Sequence, residues 1–308
     1  MGSHINNIIS DAMFELIDEV PCANLLGEGV QWNHRDQSVW WTDIKSNKLY
    51  RYHLHSKTLK TWAMPEFLGC FAFVENDERM LLALASGFAW FNPETGAIEW
   101  IAKPEAHFIG NRLNDGRVDR QGRFWVGSIM EQENSPEQSA SLFCLDHAQQ
   151  LSTHLTDLRI SNSLCWSADS KRLYHADSPS HQIKVYHFDA ISGSLSNGRV
   201  FAQTLDAVEP DGSCIDAENH LWNAEWGGQR LVRYSPEGRE VTVLPMPVSQ
   251  PTCMAFGGEE MNLLFVTSAR IGLSDDALAE QPRAGNLFIY RTAFSGLNEC
   301  WYKASPAR

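Results

Sequence analysis

Four short segments of the chain carry an oxygen-bearing side chain at a similar distance from a following strand-like run. The segments are LGEGVQW, RLNDGRVD, ISNSLCW and EPDGSCID, and the residues are Glu28, Asn114, Asn162 and Asp211. Each lies ten or eleven residues before the first apolar residue of its run. Carboxylate and amide oxygens are the donors that hard or borderline divalent cations prefer. These residue types therefore raise the hypothesis of a metal site, provided that the fold brings them together.

Six strand-like runs recur along the chain, each after a turn-forming segment such as HRDQ, SADS or DAEN. The runs are SVWWTDI, RMLLALA, RFWVGSI, RLYHADS, HLWNAEW and NLLFVTS, spaced by 41, 44, 49, 48 and 42 residues. A second alternating strand, such as KLYRYHL or NLFIYRT, follows several of them. Repeats of this length with four strands each are typical of a β-propeller. The sequence therefore predicts an all-β fold, a six-bladed β-propeller with four-stranded antiparallel blades. A two-sheet sandwich is the alternative.

The propeller prediction also assigns the N-terminal residues and the extent of the domain. We interpret residues 1–12 as a flexible N-terminus or the remnant of a tag, and residues 13–308 as one propeller domain. The stretch MFELIDEV, from Met13 to Val20, precedes the first repeat and is predicted to complete the last blade. Such a closure hides sheet edges that an open ring would expose.

In a propeller the innermost strands line a central channel, so one repeat position defines a ring of side chains. At this position the six repeats place Glu28, Gly69, Asn114, Asn162, Asp211 and Thr252. Converging carboxylates are costly to bury unless a cation compensates them. The alternative is that these residues form Asx-type turns before the strands. Arg112 lies two residues before Asn114, on the same strand face, and is predicted to reach the same cavity or to form a salt bridge.

Composition excludes several classes of function. The net charge of −13 and the absence of a Lys/Arg run argue against nucleic acid as a partner. Apolar runs such as MLLALASGFAWF are too short to span a bilayer, and the N-terminus has no secretory signal pattern, so we expect a cytoplasmic protein without a membrane partner. Seven cysteines without a pairing pattern are expected to be mostly reduced core residues. The sequence does not indicate an oligomeric state.

The ordered motifs from LGEGVQW through NRLNDGRVD, ISNSLCWS and EPDGSCIDAENHLW to TSARIGLSD resemble the gluconolactonase and regucalcin (senescence marker protein) family. Segments such as AEWGGQRLVRYSP look more like its bacterial sugar lactonase branch. The resemblance implies a six-bladed, metal-dependent lactonase. It implies Glu28, Asn162 and Asp211 as ligands of one divalent cation (Ca²⁺, Zn²⁺, Mn²⁺, Mg²⁺ or Fe²⁺) and Arg112 and Asn114 as substrate-binding residues.

Two positions depart from the family pattern. Ser163 follows Asn162 where the animal proteins have glycine, although serine is common among the bacterial lactonases. In the segment IMEQEN, the acid that the family uses for substrate binding aligns with Gln132, and Glu131 stands beside it. The substrate contact therefore falls at Glu131 or at Gln132, and we predict that Glu131 binds substrate.

The expected activity is hydrolysis of a pentono- or hexonolactone to the aldonic acid, with the cation as Lewis acid and Asp211 as general base. Two alternatives stay open: a calcium-binding scaffold without turnover, and a promiscuous esterase or organophosphate hydrolase. A serine hydrolase is disfavoured because the chain has no G-x-S-x-G motif. His175 and His181 are predicted to be core or surface residues rather than ligands.

Overall fold

The fold was obtained as a computed structural model that describes residues 13–305. These residues form six four-stranded antiparallel sheets, which confirms the predicted six-bladed propeller. Within each sheet the strands follow one another in chain order from the axis outward, except in the sixth. The prediction of a flexible segment or tag remnant at residues 1–12 lies outside the described residues, and the domain boundaries remain a prediction.

The first strand, β1 (Phe14–Val20), belongs to blade 6 and is described with it. Blade 1 contains β2 (Gly27–Asn33), β3 (Ser38–Asp43), β4 (Lys48–His53) and β5 (Thr58–Ala63). Blade 2 contains β6 (Leu68–Val74), β7 (Asp77–Leu84), β8 (Gly87–Phe91) and β9 (Ile98–Ala102). Blade 3 contains β10 (Asn111–Val118), β11 (Phe124–Met130), β12 (Ala140–Leu145) and β13 (Leu151–Leu158).

The second half of the ring repeats this plan. Blade 4 contains β14 (Ser161–Trp166), β15 (Arg172–Asp177), β16 (Gln182–Phe188) and β17 (Leu195–Gln203). Blade 5 contains β18 (Glu209–Ile215), β19 (Leu221–Trp226), β20 (Arg230–Tyr234) and β21 (Glu240–Pro245). Blade 6 contains β22 (Pro251–Gly257), β23 (Leu263–Ser268) and β24 (Leu287–Thr292), with β1 as its outermost strand.

The pairing of β1 with β24 closes the ring, as predicted for the stretch from Met13 to Val20. Phe14 lies opposite Thr292 and Val20 opposite Leu287 in an antiparallel register. The N-terminal strand thus supplies the fourth strand of a sheet whose other strands come last in the chain. This arrangement removes the sheet edge that β24 would otherwise present.

Burial decreases from the axis to the rim. The inner strands β6 and β22 are buried along their whole length, whereas the rim strand β5 is mostly exposed. Apolar side chains fill the space between neighbouring blades, as where Trp32 of blade 1 stacks on Phe265 of blade 6 with ring centroids 5.3 Å apart. Because β6 and β22 are covered on both faces, their sequences, LGCFAFV and PTCMAFG, are nearly continuous apolar runs rather than alternating ones.

A short α-helix interrupts the succession of strands in blade 6. An α-helix, Asp275–Glu280, lies between β23 and β24 and begins at Ser274, whose Oγ accepts a hydrogen bond from the Ala277 amide. This helix was not predicted, because six residues are too few to establish a helical period.

All seven cysteines are unpaired and five are buried, which confirms the expectation of reduced core residues. Within residues 13–305, no helix has the length and apolar character needed to cross a lipid bilayer.

Candidate functional site

A cavity of about 220 Å³ opens at the end of the axis where the inner strands begin. Four of the six ring residues line it, namely Glu28, Asn114, Asn162 and Asp211, and Arg112 lines it as well. They come from blades 1, 3, 4 and 5. The structure therefore brings these five predicted site residues together around one cavity, although their positions in the chain span more than half of its length.

A β-bulge shapes the inner strand at this level in every blade. The register of each inner strand against its neighbour shifts directly after or next to the ring position, for example between Glu28 and Gln31 and between Asn162 and Cys165. A bulge releases backbone groups from the ladder and re-aims side chains. Asn114 and Asp211 fall inside the shifted register, whereas Glu28, opposite Thr42, and Asn162, opposite Ala176, are the last paired residues before it.

Glu28 and Asp211 form a pair of neighbouring carboxyl groups, each of which affects the pKa of the other. Burial, reinforced by the charge of Asp115, raises the pKa of Glu28 to about 8. Burial, together with the charge of Glu28, also raises the pKa of Asp211 well above its usual value. The pair thus holds a proton near neutral pH in the absence of a cation, because two adjacent buried carboxylates repel each other.

Asn162 lies between this pair and blade 3. Its Nδ2 donates to Ser178 Oγ at 2.9 Å, and its Oδ1 accepts from Asn114 Nδ2 at 3.0 Å. The hydrogen bond to Ser178 fixes which end of the amide carries the oxygen. That oxygen retains a second lone pair with which it can coordinate a cation.

Arg112 connects the cavity to the neighbouring loop. Its Nη1 donates to Asn114 Oδ1 at 2.8 Å and to the Leu113 carbonyl oxygen at 3.1 Å, while its Nε donates to Glu131 Oε1 at 2.5 Å. Lys45 Nζ donates to the same Glu131 oxygen at 2.6 Å. Although burial opposes it, the charge of Arg112 and the bonds from both cations hold the pKa of Glu131 below its usual value.

Glu131 is therefore linked to the cavity by its hydrogen bond with Arg112. Gln132, the alternative position for the substrate-binding acid, uses its backbone carbonyl oxygen to accept from Gln138 Nε2 at 2.7 Å. Neither Glu131 nor Gln132 lines the cavity, and the role of Glu131 in substrate binding stays a prediction.

The other two ring positions have structural roles. A Cβ atom at Gly69 would lie 2.6 Å from the Asn114 carbonyl oxygen, so only glycine allows the backbones of blades 2 and 3 to approach this closely. Thr252 Oγ1 donates to the Gly27 carbonyl oxygen at 2.5 Å and joins blade 6 to blade 1. His175 is buried with its Nε2 at 2.8 Å from Ser161 Oγ, and His181 Nδ1 lies 2.9 Å from the Val208 carbonyl oxygen, so both are structural histidines as predicted.

The donor set fits a hard divalent cation. Among residues 13–305 no three His, Cys, Asp or Glu side chains cluster as metal ligands would. The set at the cavity consists instead of two carboxylates and the amide oxygen of Asn162. Burial and neighbouring carboxylates raise the pKa values of Glu28 and Asp211, so the ionised pair needs compensating positive charge. A cation bound there would supply it and leave positions open for water or substrate.

Sequence reasoning missed several residues of the site. Asp115 is a third buried carboxyl group whose charge reaches both Glu28 and Asp211, and it directly follows Asn114 in NRLNDG. Ser178, Glu209 and Trp226 also line the cavity. Ser178 ends the segment YHADS, whereas Glu209 lies two residues before Asp211. These neighbours follow from the register of the strands once the ring position is known.

Comparison with known proteins gives a consistent result. Residues 26–270 match the family model described as "SMP-30/Gluconolactonase/LRE-like region". The chain is 38% identical to an L-arabinolactonase of Azospirillum brasilense over 92% of this chain and 94% of that protein, and 32% identical to a 6-deoxy-6-sulfogluconolactonase of Pseudomonas putida over 90% and 94%. A crystal structure of regucalcin from Agrobacterium tumefaciens, described as a calcium-binding protein, superposes with a TM-score of 0.87 at 31% identity, covering 94% of this chain and 97% of the other.

Proposed function

The chain belongs to the SMP-30/gluconolactonase/LRE-like family, and on that premise we propose that it is a metal-dependent sugar lactonase. It hydrolyses a pentono- or hexonolactone to the aldonic acid. The observation that carries this proposal is the buried carboxyl pair of Glu28 and Asp211, which lines one small cavity with Asn162, Arg112 and Asn114. Two relatives named as lactonases of sugars support the substrate class.

Glu28, Asn162 and Asp211 are the residues that would hold one divalent cation, which is Ca²⁺, Zn²⁺, Mn²⁺, Mg²⁺ or Fe²⁺. When bound, such a cation polarises the lactone carbonyl and stabilises the negative charge that develops on its oxygen. The description of the Agrobacterium relative as calcium-binding supports a divalent cation.

Asp211 acts as the general base in this proposal. Its carboxylate takes a proton from the attacking water as the new C–O bond forms at the lactone carbonyl carbon. It returns that proton to the ring oxygen as the acyl C–O bond breaks, so that the products are a hydroxyl group and a carboxylic acid.

Arg112 and Asn114 bind the sugar hydroxyls. Both side chains are almost fully buried and line the cavity, so a substrate hydroxyl that displaces water there must find a partner. Glu131 orients Arg112 through its Nε. The volume of about 220 Å³ suits a single sugar ring rather than an oligosaccharide.

A proton-release assay tests the proposal, because each hydrolysis of a lactone to an ionised acid liberates one proton. The purified protein is assayed on a panel of pentono- and hexonolactones, first as isolated, then after chelation, and then with each of the five cations restored singly. We expect turnover that is lost on chelation and regained with at least one cation. Asp211→Asn is expected to lower the rate by about 10²–10⁴-fold without loss of fold.

Three results would count against this proposal. Hydrolysis of none of the lactones above background would exclude the lactonase and favour a binding protein. Faster turnover of simple esters or organophosphates than of lactones would favour the promiscuous hydrolase. Activity unchanged by chelation would exclude the role of the cation.

A further inference from the structure

The backbone on either side of Asp211 is held from the neighbouring blade. The register of β18 against β19 shifts between Pro210 and Ser213, so the carbonyl groups of residues 210 and 211 fall at a bulge. Ser178 Oγ donates to the Pro210 carbonyl oxygen at 2.8 Å, and Ser163 Oγ donates to the Asp211 carbonyl oxygen at 2.6 Å. Two hydroxyls of blade 4 thus satisfy two successive carbonyls of blade 5.

Ser163 adopts a backbone conformation that normally favours glycine. Its φ is 59°, in the left-handed region, and its side chain is fully buried at the bulge that follows Asn162. A residue with a side chain is strained in this region by comparison with glycine. Asn223 Nδ2 donates to Ser163 Oγ and to the Asp211 carbonyl oxygen, both at 2.9 Å. The hydroxyl therefore belongs to a network centred on the Asp211 peptide.

Ser178 acts on both residues at once. Its Oγ accepts from Asn162 Nδ2 at 2.9 Å while it donates to the Pro210 carbonyl oxygen. The first bond sets the orientation of the Asn162 amide, and the second ties that amide to the strand that carries Asp211. Ser178 is 1% exposed, so water does not compete effectively for these bonds.

We propose that Ser163 and Ser178 are positioning residues that lock Asn162 and Asp211 into one rigid unit across blades 4 and 5. This inference rests on the proposed function, because it assumes that Asn162 and Asp211 hold a cation and that Asp211 moves a proton. Ser163 does not line the cavity, and Ser178, which does, uses its hydroxyl to bond to Asn162 and to the Pro210 carbonyl oxygen. Each acts on the site only through the residue whose backbone or amide it holds.

The test compares cation affinity and kinetics in four variants. Ser163→Ala removes the hydroxyl and keeps the left-handed strain, whereas Ser163→Gly removes the hydroxyl and relieves the strain. Ser178→Ala removes the other hydroxyl. Ser268→Ala is the matched control, because Ser268 is equally buried and its Oγ donates at 2.8 Å to the Asn286 carbonyl oxygen, but blade 6 carries no proposed ligand.

Mn²⁺ titrated into the metal-free proteins, followed by calorimetry and by electron paramagnetic resonance, gives the affinity without reference to activity. We expect Ser163→Ala and Ser178→Ala to bind Mn²⁺ about tenfold more weakly and to lose kcat with little change in KM. Ser163→Gly should recover melting temperature relative to Ser163→Ala, but not Mn²⁺ affinity. Ser268→Ala should lose melting temperature and keep both affinity and kcat.

Wild-type affinity for Mn²⁺ in Ser163→Ala and Ser178→Ala would overturn the inference, even if the wild-type protein hydrolyses lactones. Recovery of both stability and affinity in Ser163→Gly would likewise show that the serine hydroxyl has no positioning role. If the wild-type protein binds Mn²⁺ but hydrolyses no lactone, the proposed function fails, and the affinities of the variants still decide the inference.

Discussion

The carboxyl groups of Glu28 and Asp211 lie beside each other in one cavity, although they belong to blades 1 and 5. Burying one ionised carboxyl group without a partner would cost free energy in either strand. The pair exists because the closed ring aims both inner strands at the same cavity. Its chemistry is therefore a property of the closed ring rather than of either segment.

Binding of a cation is predicted to release protons from this pair. The pKa of Glu28 is about 8 and that of Asp211 is well above its usual value, so at pH 7 the metal-free pair retains protons that a cation must displace. Affinity should therefore rise as the pH approaches about 8. Calorimetric titrations at pH 7 in buffers of different ionisation enthalpy should show release of one to about two protons per cation. Heats that do not depend on the buffer would contradict the prediction.

Substitution of Arg112 by lysine is expected to impair substrate binding. The guanidinium bonds simultaneously to Glu131, Asn114 and the Leu113 carbonyl oxygen, and the single ammonium group of lysine cannot reproduce this fork. We expect KM for the best lactone to rise about tenfold or more, with a smaller fall in kcat. Steady-state kinetics provide the measurement.

Variants at Glu131 and Gln132 compare the contributions of these two loop residues to KM in the same kinetic assay. Glu131→Gln should raise KM less than Arg112→Lys, because the bond to Arg112 Nε is weakened rather than lost. Gln132→Ala serves as the control. Gln132 bonds within this loop through its backbone carbonyl oxygen, which the substitution by alanine retains. A larger effect at Gln132 than at Glu131 would reassign the substrate contact.

His175 is predicted to make the protein sensitive to acid. Burial, with the charge of Lys184, lowers its pKa to about 3, compared with 6.5 in an unfolded chain. Between these values the unfolded chain binds a proton that the folded protein does not, so stability is lost as the pH falls from 6.5 towards 3. His175→Gln should show a smaller fall in melting temperature between pH 7 and about 4.5 than the wild type. Equal falls would show that His175 does not contribute.

Phe14 should contribute strongly to ring closure. Its ring packs edge-on against Trp222, with centroids 6.0 Å apart, and lies 5.9 Å from Phe294. Phe14→Ala is expected to lower the free energy of unfolding by about 3–5 kcal/mol, measured by urea denaturation. Leu16→Ala is the control on the same strand, because Leu16 is 39% exposed, and it should cost less than about 1 kcal/mol. Similar losses in the two variants would argue against a core role for Phe14.

Much of the architecture could be predicted because it depends on local, repeated signals. The run RLYHADS contains the whole of β15, and the six runs together fixed the number of blades. The shared offset from these runs predicts that Glu28, Asn162 and Asp211 lie at one level of the ring. The place of a residue within a sequence repeat predicts its place in the ring, because each blade repeats the same geometry about the axis.

The remainder depends on contacts between distant segments. The left-handed backbone of Ser163 follows from a bulge in β14, and its bond to the Asp211 carbonyl oxygen joins different blades, so no local pattern indicates it. The choice between Glu131 and Gln132 depends on the path of a loop between β11 and β12. Asp115 was missed because its effect on Glu28 comes from burial and charge at close range, which a sequence does not display.

The pairing of Phe14 with Thr292 also has a consequence for biosynthesis. The two residues are 278 positions apart (292 − 14), so residue 14 leaves the ribosome long before its partner has been translated. Blade 6 cannot be completed until nearly the whole chain has been made, whereas the strands of blades 1 to 5 follow one another in order of synthesis. The pairing of β1 with β24 can therefore form only after nearly the whole chain has been translated.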